Sequence, residues 1–165
     1  MHMSIIISLL DRSDWRSYKT IQLEALRIDQ QAFGSSYKDW AIASDEKWQE
    51  RAFNSGTKIV LARDGNRPIG LVGYHVKDNS EEAHLWGMFV ATEYRRKGIG
   101  KKLLEKIIEL AKKIPNVKKI SLDVNPEQVS AIELYKSIGF TETGKRNYLM
   151  GDGVERQLAT MSILR

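Results

Sequence analysis

Residues 94–102 of the chain read Tyr-Arg-Arg-Lys-Gly-Ile-Gly-Lys-Lys, a basic stretch with two glycines between two apolar segments. Residues 84–90 before it are predicted to form a buried strand. Residues 103–111 after it carry apolar side chains at helical spacing. A helix start has unpaired main-chain N–H groups, and glycine lets a ligand approach the backbone closely. The stretch therefore predicts an anion site, most simply for a phosphate.

Three phosphate-binding patterns compete for this stretch. A Walker A loop requires glycine at position 95 and Ser or Thr at position 102, where the chain has Arg95 and Lys102. A dinucleotide fingerprint requires a third glycine at position 103, which is Leu103. The pattern Arg/Gln-x-x-Gly-x-Gly/Ala is met at every fixed position by residues 95–100. A basic, solvated helix start without a ligand is the simplest alternative.

A second motif lies about 30 residues further along the chain. Residues 131–140 read Ala-Ile-Glu-Leu-Tyr-Lys-Ser-Ile-Gly-Phe and fit the pattern Ala-x-x-Leu-Tyr-x-x-x-Gly-Phe. Together the two motifs resemble the GNAT superfamily of N-acetyltransferases, and the resemblance covers residues 58–165. It implies that the first loop binds the pyrophosphate of acetyl-CoA, the acyl-donor substrate. It also implies direct transfer of the acetyl group to a primary amine of a small molecule or a protein.

The order of predicted elements indicates an α+β fold in a single domain over residues 1–165. Strands are expected at 5–10, 58–63, 68–76, 84–90 and 119–124, with two more around a turn at 151–153. Helices are expected at 15–28, from Ser44 to 53, from the basic stretch to about 115, and at 128–138, with a loop over 30–43. The sheet is predicted to be mixed and mostly antiparallel, with about seven strands. The resemblance adds helices on both faces and a parallel strand pair, 84–90 and 119–124, that splays apart around the pantetheine arm.

The resemblance assigns coenzyme binding to the basic loop, the end of the strand before it and the segment around the second motif. The residues are Met88, Phe89, Val90, Arg95, Arg96, Lys97, Gly98, Ile99, Gly100, Lys101, Asn125, Gln128, Ala131 and Tyr135. A main-chain N–H at Met88–Val90 is expected to stabilise the reaction's oxyanion, and Arg95 could instead fix the loop. Many relatives have Asn where this chain has Gln128. The pantetheine contact is therefore kept by Gln128, shifted, or made by Asn125.

Three side chains are candidates for the catalytic proton transfers. Tyr135 stands at the family's general-acid position beside the sulfur, and its alternative is a core tyrosine with a satisfied hydroxyl. The general base is left open. Asp123 stands where some relatives carry a base carboxylate, His84 titrates close to neutral pH, and a water chain could replace both. Asp123 could also cap a turn, and His84 could be an ordinary strand residue. The acceptor pocket is expected to involve residues 22–48 and the hairpin around Tyr148.

The net charge and the absence of cysteine restrict the functions that the chain can have. The net charge is +5 and cations cluster in the basic loop, but no aromatic residues interleave with them, which favours a phosphorylated small ligand over nucleic acid. The chain has no cysteine, so a thiolate site or covalent cysteine intermediate is excluded, and a cytoplasmic location is expected. Neither a metal nor a membrane span is expected. The oligomeric state is left undecided, with a homodimer as one alternative. The rival functions are a non-catalytic acyl-CoA sensor and a nucleic-acid binder.

Overall fold

A computed structural model describes residues 3–165, which form seven strands and five α-helices. The strands are β1 (Ile5–Leu9), β2 (Thr57–Asp64), β3 (Arg67–His75), β4 (Glu82–Val90), β5 (Lys119–Val124), β6 (Thr141–Leu149) and β7 (Glu155–Leu164). The helices are α1 (Trp15–Ile28), α2 (Tyr37–Ala41), α3 (Asp45–Phe53), α4 (Ile99–Lys112) and α5 (Val129–Ile138). Short 3-10 turns occupy Arg12–Asp14, Gln30–Ala32 and Thr92–Tyr94.

The strands form one sheet in the order β1-β2-β3-β4-β5-β7-β6. Every neighbouring pair is antiparallel except β4 and β5, which run parallel. The parallel register runs only from the pair Glu82 and Lys119 to the pair His84 and Ser121. Beyond His84 the two strands are no longer paired, so a gap opens between them. The predicted mixed sheet of about seven strands with a splayed parallel pair is confirmed.

Side chains of the central strands alternate between two helical layers. Ile59, Leu61 and Leu71 belong to a buried cluster with residues of α1 and α3. Their neighbours Val60 and Val72 belong to a second cluster with residues of α4 and α5. Because successive strand residues point to opposite faces, a strand covered on both faces is apolar at every position. The predicted placement of helices on both faces of the sheet is confirmed.

A β-bulge interrupts β4 where the strands separate. Leu71 lies opposite Phe89 and Gly73 lies opposite Trp86, so β4 contains one extra residue between these pairs. Gly87, at the bulge, has a φ of +74°, a value that favours glycine. The extra residue reverses the alternation of side chains. As a result Leu85 belongs to the cluster with α4, whereas Phe89, four residues later, belongs to the cluster with α1.

The prediction of a loop over residues 30–43 is wrong in two places. Gln30–Ala32 forms a 3-10 turn and Tyr37–Ala41 forms α2. The Ser36 hydroxyl accepts a hydrogen bond from Asp39 N–H (3.4 Å) and so caps the start of α2. A helix of five residues is not stable in isolation, so this cap supports it. The other boundaries lie within a few residues of those predicted.

Among residues 3–165, no helix combines the length and apolar character needed to cross a membrane.

Candidate active site

The basic loop between β4 and α4 has the backbone geometry of an anion-binding site. Arg96 and Gly98 both have left-handed backbone angles, with φ of 63° and 79°. Helix α4 begins at Ile99, and Lys102 N–H donates to Gly98 O (3.2 Å), so the N–H groups just before Lys102 have no partner in the preceding turn. Left-handed residues next to a helix start form the concave arrangement of N–H groups that binds phosphates.

The two glycines of the loop have different surroundings. A Cβ added to Gly98 would meet no atom within 4 Å in the part of the chain that the structure describes. A Cβ added to Gly100 would lie 3.1 Å from Met88 Cε and 3.3 Å from Leu134 Cδ2. Gly100 therefore allows α4 to pack closely against β4 and α5. Gly98 leaves open space in front of the helix start, which is the space that a bound anion requires.

Some of the predicted cations are engaged within the protein. Arg95 donates from Nε to Val90 O (2.8 Å) and from a guanidinium nitrogen to Asp29 Oδ2 (3.0 Å). Lys97 Nζ donates to Glu93 O (3.1 Å). Arg95 thus ties the loop to the end of β4 and to the residue following α1. Arg96 and Lys101 are exposed, and Lys101 lies 3.9 Å from Glu105. The Arg95 side chain fits the loop-fixing alternative, and all five cations of the basic loop, Arg96 and Lys101 among them, are exposed to solvent.

A cavity of about 240 Å³ lies at the gap between β4 and β5. Residues 84–88 and 122–124 of these strands line it, together with Tyr135 and Gln128 at α5 and Tyr148 on β6. Residues 32–34 close another side. The structure therefore brings His84 and Met88 of β4 to one cavity with Asp123 and Tyr135, which lie much further along the chain. Residues 32–34 and Tyr148 also belong to the two segments from which the sequence predicts an acceptor pocket.

A larger cavity, of about 710 Å³, lies elsewhere and is lined mainly by residues 52–59 and 74–81. None of the candidate site residues lines it. It has neither a glycine-containing helix start nor a gap in the sheet among the described residues. Its larger volume does not make it a better candidate for the active site than the cavity between β4 and β5, because a site also needs polar groups that converge on the ligand.

His84 and Asp123 face each other across the parallel strand pair. His84 Nε2 lies 3.5 Å from Asp123 Oδ2. Asp123 also accepts hydrogen bonds from Thr160 Oγ1 (2.6 Å) and Tyr148 Oη (3.3 Å), and a guanidinium nitrogen of Arg146 lies 4.0 Å away. The Asp123 side chain is only 6% exposed, whereas the His84 side chain is 37% exposed. His84 is therefore the more accessible of the two candidate bases.

The other ring nitrogen of His84 contacts a buried serine. His84 Nδ1 lies 2.9 Å from Ser121 Oγ, and Ser121 Oγ donates a hydrogen bond to the Glu82 carboxylate. Burial lowers the pKa of His84 below its usual 6.5, although the nearby carboxylates of Asp123 and Glu82 oppose this shift. A pKa below 6.5 leaves the imidazole neutral, and thus able to accept a proton, at pH 7.

Tyr135 lines the same cavity. Within residues 3–165 no hydrogen bond is formed by its hydroxyl, and the ring packs edge-to-face against Phe140 at 6.1 Å between centroids. The residue is 6% exposed, and burial raises the pKa of the hydroxyl above its usual value near 10. A protonated hydroxyl without a protein partner is available to donate to a ligand atom.

The amide side chains near α5 differ in their availability. Asn125 is buried, donates weakly to Gln31 O (3.4 Å) and accepts from Glu127 N–H (3.0 Å). Gln128 precedes the first residue of α5 and lines the cavity. Ala131 packs against the core cluster that contains α4. The geometry thus favours Gln128 over Asn125 for contact with a ligand in the cavity.

Sequence reasoning missed Ser121 and Thr160 as parts of this site. Ser121 and Asp123 alternate with apolar residues in β5, so both lie on the same face of the strand. The sequence alone therefore indicates that Ser121 shares a strand face with Asp123. Thr160 lies opposite Asp123 in the β5–β7 register, and His84 lies opposite Ser121 in the β4–β5 register. These pairings depend on the strand register, which the sequence does not specify.

Comparison with known proteins agrees with this geometry. Residues 19–140 match the acetyltransferase (GNAT) family. The chain is 36% identical over 108 residues to the ribosomal protein bS18-alanine N-acetyltransferase of Escherichia coli K12, a stretch that covers 61% of this chain and 70% of that enzyme. It is 28% identical over 117 residues to human N-acetyltransferase 8, covering 67% of this chain but only 51% of the human protein. This chain therefore spans about half the length of the human relative.

The solved structure of yncA from Salmonella typhimurium with its cofactor acetyl-CoA superposes with a TM-score of 0.79. The superposition covers 98% of this chain and 94% of that structure at 18% sequence identity, a similarity that shows the shared fold. The chain belongs to the acetyltransferase (GNAT) family, as its two motifs indicated. It is thus an N-acetyltransferase family member, and the family's acyl donor is the acetyl-CoA expected from the sequence.

Proposed function

We propose that this protein transfers the acetyl group of acetyl-CoA directly to a primary amine. The observation that carries the proposal is the cavity where β4 and β5 separate, because His84, Asp123 and Tyr135 line it together. A direct reaction needs a base for the amine, a donor for the developing oxyanion and stabilisation of the leaving sulfur. Groups of each kind lie at or beside this gap.

The donor substrate fits the residues around the gap. The open space at Gly98 and the unpaired N–H groups before Lys102 suit a pyrophosphate. The unpaired edges of β4 and β5 beyond His84 suit an extended amide-containing arm, which can hydrogen-bond like an added strand. The bulge at Gly87 leaves main-chain N–H groups near Met88 outside regular pairing, and these are the candidates for the oxyanion donor.

His84 is assigned as the general base. It is more exposed than Asp123, and its lowered pKa keeps it neutral at physiological pH. Asp123 already accepts hydrogen bonds from Thr160 and Tyr148, so its oxygens are less available to a substrate. In this assignment Asp123 stabilises the positive charge that His84 acquires, through its contact with Nε2. A lysine-like amine has a pKa near 10.4, so its binding site must also favour the neutral amine.

Tyr135 is assigned to the leaving sulfur as a hydrogen-bond donor. Its raised pKa keeps the hydroxyl protonated. A thiol has a pKa near 8.5, so complete proton transfer from this tyrosine to a thiolate is uphill. Tyr135 therefore stabilises the developing negative charge through its O–H, and the final proton of the thiol comes from solvent or from protonated His84.

The acceptor is a primary amine of either a small molecule or a protein. The E. coli relative acts on an alanine of a ribosomal protein, which makes a protein amine one reasonable acceptor. Residues 32–34, Tyr148 and Met150 on the far side of the cavity are the groups that would contact it. These residues are largely apolar or uncharged, so they favour a neutral amine at the reacting end.

An acceptor panel tests the proposal. Thiol release from acetyl-CoA is measured with amino acids, polyamines and a peptide with an N-terminal alanine, and coenzyme affinity is measured by calorimetry. We expect saturable, amine-dependent thiol release that His84→Gln reduces without weakening coenzyme binding. Tight coenzyme binding with no turnover of any amine would instead support the acyl-CoA sensor.

A further inference from the structure

We propose that Ser121 and Glu82 are positioning residues that hold the proton of neutral His84 on Nδ1, so that Nε2 is free to accept the proton of the amine. The inference rests on the proposed function of His84. It concerns two residues that neither motif contains, and its direct test measures the imidazole itself and needs no catalysis.

Hydrogen-bond counting around Ser121 supports this assignment. A serine hydroxyl has one proton to donate, and an ionised carboxylate can only accept. Ser121 Oγ donates its proton to Glu82, so it must accept in its contact with His84 Nδ1 (2.9 Å). The donor in that contact is then the Nδ1–H of His84. Ser121 is 1% exposed, so water does not readily replace either partner.

Glu82 has the charge that this assignment requires. Burial alone would raise its pKa, but the Ser121 hydroxyl and the Lys119 ammonium hold the pKa below its usual value. Lys119 Nζ lies 3.5 Å from Glu82 Oε2 and is about half exposed. Glu82 is therefore an anion at neutral pH and orients the Ser121 hydroxyl towards itself.

The free nitrogen of His84 then faces Asp123. With the proton on Nδ1, the lone pair of Nε2 lies 3.5 Å from Asp123 Oδ2, an arrangement that favours adding a proton between them. In the proton transfer, the N–H bond of the attacking amine breaks and an Nε2–H bond forms. The imidazolium that results donates to Asp123 through Nε2 and to Ser121 through Nδ1. Thr160 and Tyr148 hold the Asp123 carboxylate in place for this contact.

The charged groups around His84 come from four parts of the fold. Glu82 on β4 and Asp123 on β5 favour the imidazolium, whereas Arg146 on β6 and Lys77 before β4 disfavour it. The Asp123 carboxylate lies 3.5 Å from the ring, whereas the guanidinium of Arg146 lies 4.0 Å from Asp123 and is 60% exposed. Screening of exposed Arg146 by solvent leaves Asp123 and Ser121 as the dominant neighbours of the two ring nitrogens.

Nuclear magnetic resonance of the whole protein labelled with 15N-histidine tests the assignment. Long-range 15N–1H correlation spectra show which ring nitrogen carries the proton, and the His84 signals are identified by their loss in His84→Gln. At a pH where His84 is neutral, we expect the proton on Nδ1. A proton found on Nε2 would overturn the inference, because His84 would then donate to Asp123 and have no free lone pair towards the amine.

Ser121→Ala removes the acceptor for Nδ1–H, so we expect the proton to move largely to Nε2, beside Asp123. If the Nδ1–H share falls tenfold, kcat falls about tenfold with unchanged coenzyme affinity, because only that tautomer is competent. Ser162→Ala is the matched control. Ser162 is also a buried sheet serine, lies opposite Ser121 in the β5–β7 register and bonds to Thr143 (2.9 Å) rather than to His84.

The results separate this inference from the proposed function. A wild-type proton on Nδ1 that moves in Ser121→Ala but not in Ser162→Ala supports the positioning role even if no acceptor amine has been found. An unchanged tautomer in folded Ser121→Ala refutes it, whatever the activity. Glu82→Gln provides a second variant, in which the amide can also donate to Ser121, and we expect a mixture of both tautomers. A single Nδ1–H tautomer in Glu82→Gln would remove Glu82 from the assignment.

Discussion

Replacing Gly98 with alanine separates anion binding from backbone strain. Gly98 has a φ of 79°, and Gly153 in the β6–β7 turn has a φ of 81°. At both positions an added Cβ meets no atom within 4 Å in the described chain. Each substitution therefore costs about 1–2 kcal/mol of folding stability for a left-handed alanine, without a steric clash. The difference is that the Cβ at position 98 enters the space proposed for the pyrophosphate.

The expected loss of coenzyme affinity follows from that contact. A hydrogen bond from a main-chain N–H to a charged group contributes about 1.5–3 kcal/mol. Losing one such bond weakens binding roughly 10- to 150-fold. Isothermal titration calorimetry with CoA measures the affinity, and thermal unfolding measures the stability cost in the same samples. Equal CoA affinity for Gly98→Ala and Gly153→Ala would refute the placement of the pyrophosphate at the start of α4.

The remaining predictions concern the proton transfers and the core. His84→Gln should lower kcat about 10²-fold or more, as expected for loss of a general base, while CoA affinity stays the same. In the wild type, kcat/KM should fall as pH falls, with a midpoint below 6.5 because burial lowers the pKa of His84; a midpoint above 7 would contradict this reasoning. Tyr135→Phe should lower kcat with little change in CoA affinity, and full activity would exclude the hydroxyl from the reaction. Leu103→Ala, in the fully buried face of α4, should lower the free energy of unfolding by about 2–5 kcal/mol, as measured by denaturant titration.

Periodicity in the sequence predicted most of the fold. The apolar spacing of residues 103–111 placed α4, and continuous apolar runs placed the central strands. Two features escaped this reasoning because they depend on neighbours in space. The bulge at Gly87 reverses the alternation of β4, and only its register against β3 reveals this. The short helix α2 depends on a cap from Ser36 and on packing of Trp40 against Trp48 (4.9 Å between ring centroids).

The candidate site was predictable where a motif specifies the backbone. The spacing of Gly98 and Gly100 predicted the helix start, and the second motif predicted the position of Tyr135. The roles of His84 and Asp123 stayed open because neither belongs to a motif. Their proximity results from parallel pairing of β4 with β5, and the contacts of Asp123 with Thr160 come from a strand about 37 residues further along the chain. Contacts between strands far apart in sequence leave no local pattern.

The central claim is that the gap between β4 and β5 and the adjoining start of α4 form one continuous site for the acyl donor. A crystal structure of the protein with CoA tests this most directly. We predict pyrophosphate oxygens about 3 Å from main-chain N–H groups between Arg95 and Lys101, and the sulfur within hydrogen-bond reach of Tyr135 Oη. Coenzyme bound in the larger cavity beside residues 52–59, with the helix start free of phosphate, would contradict the account.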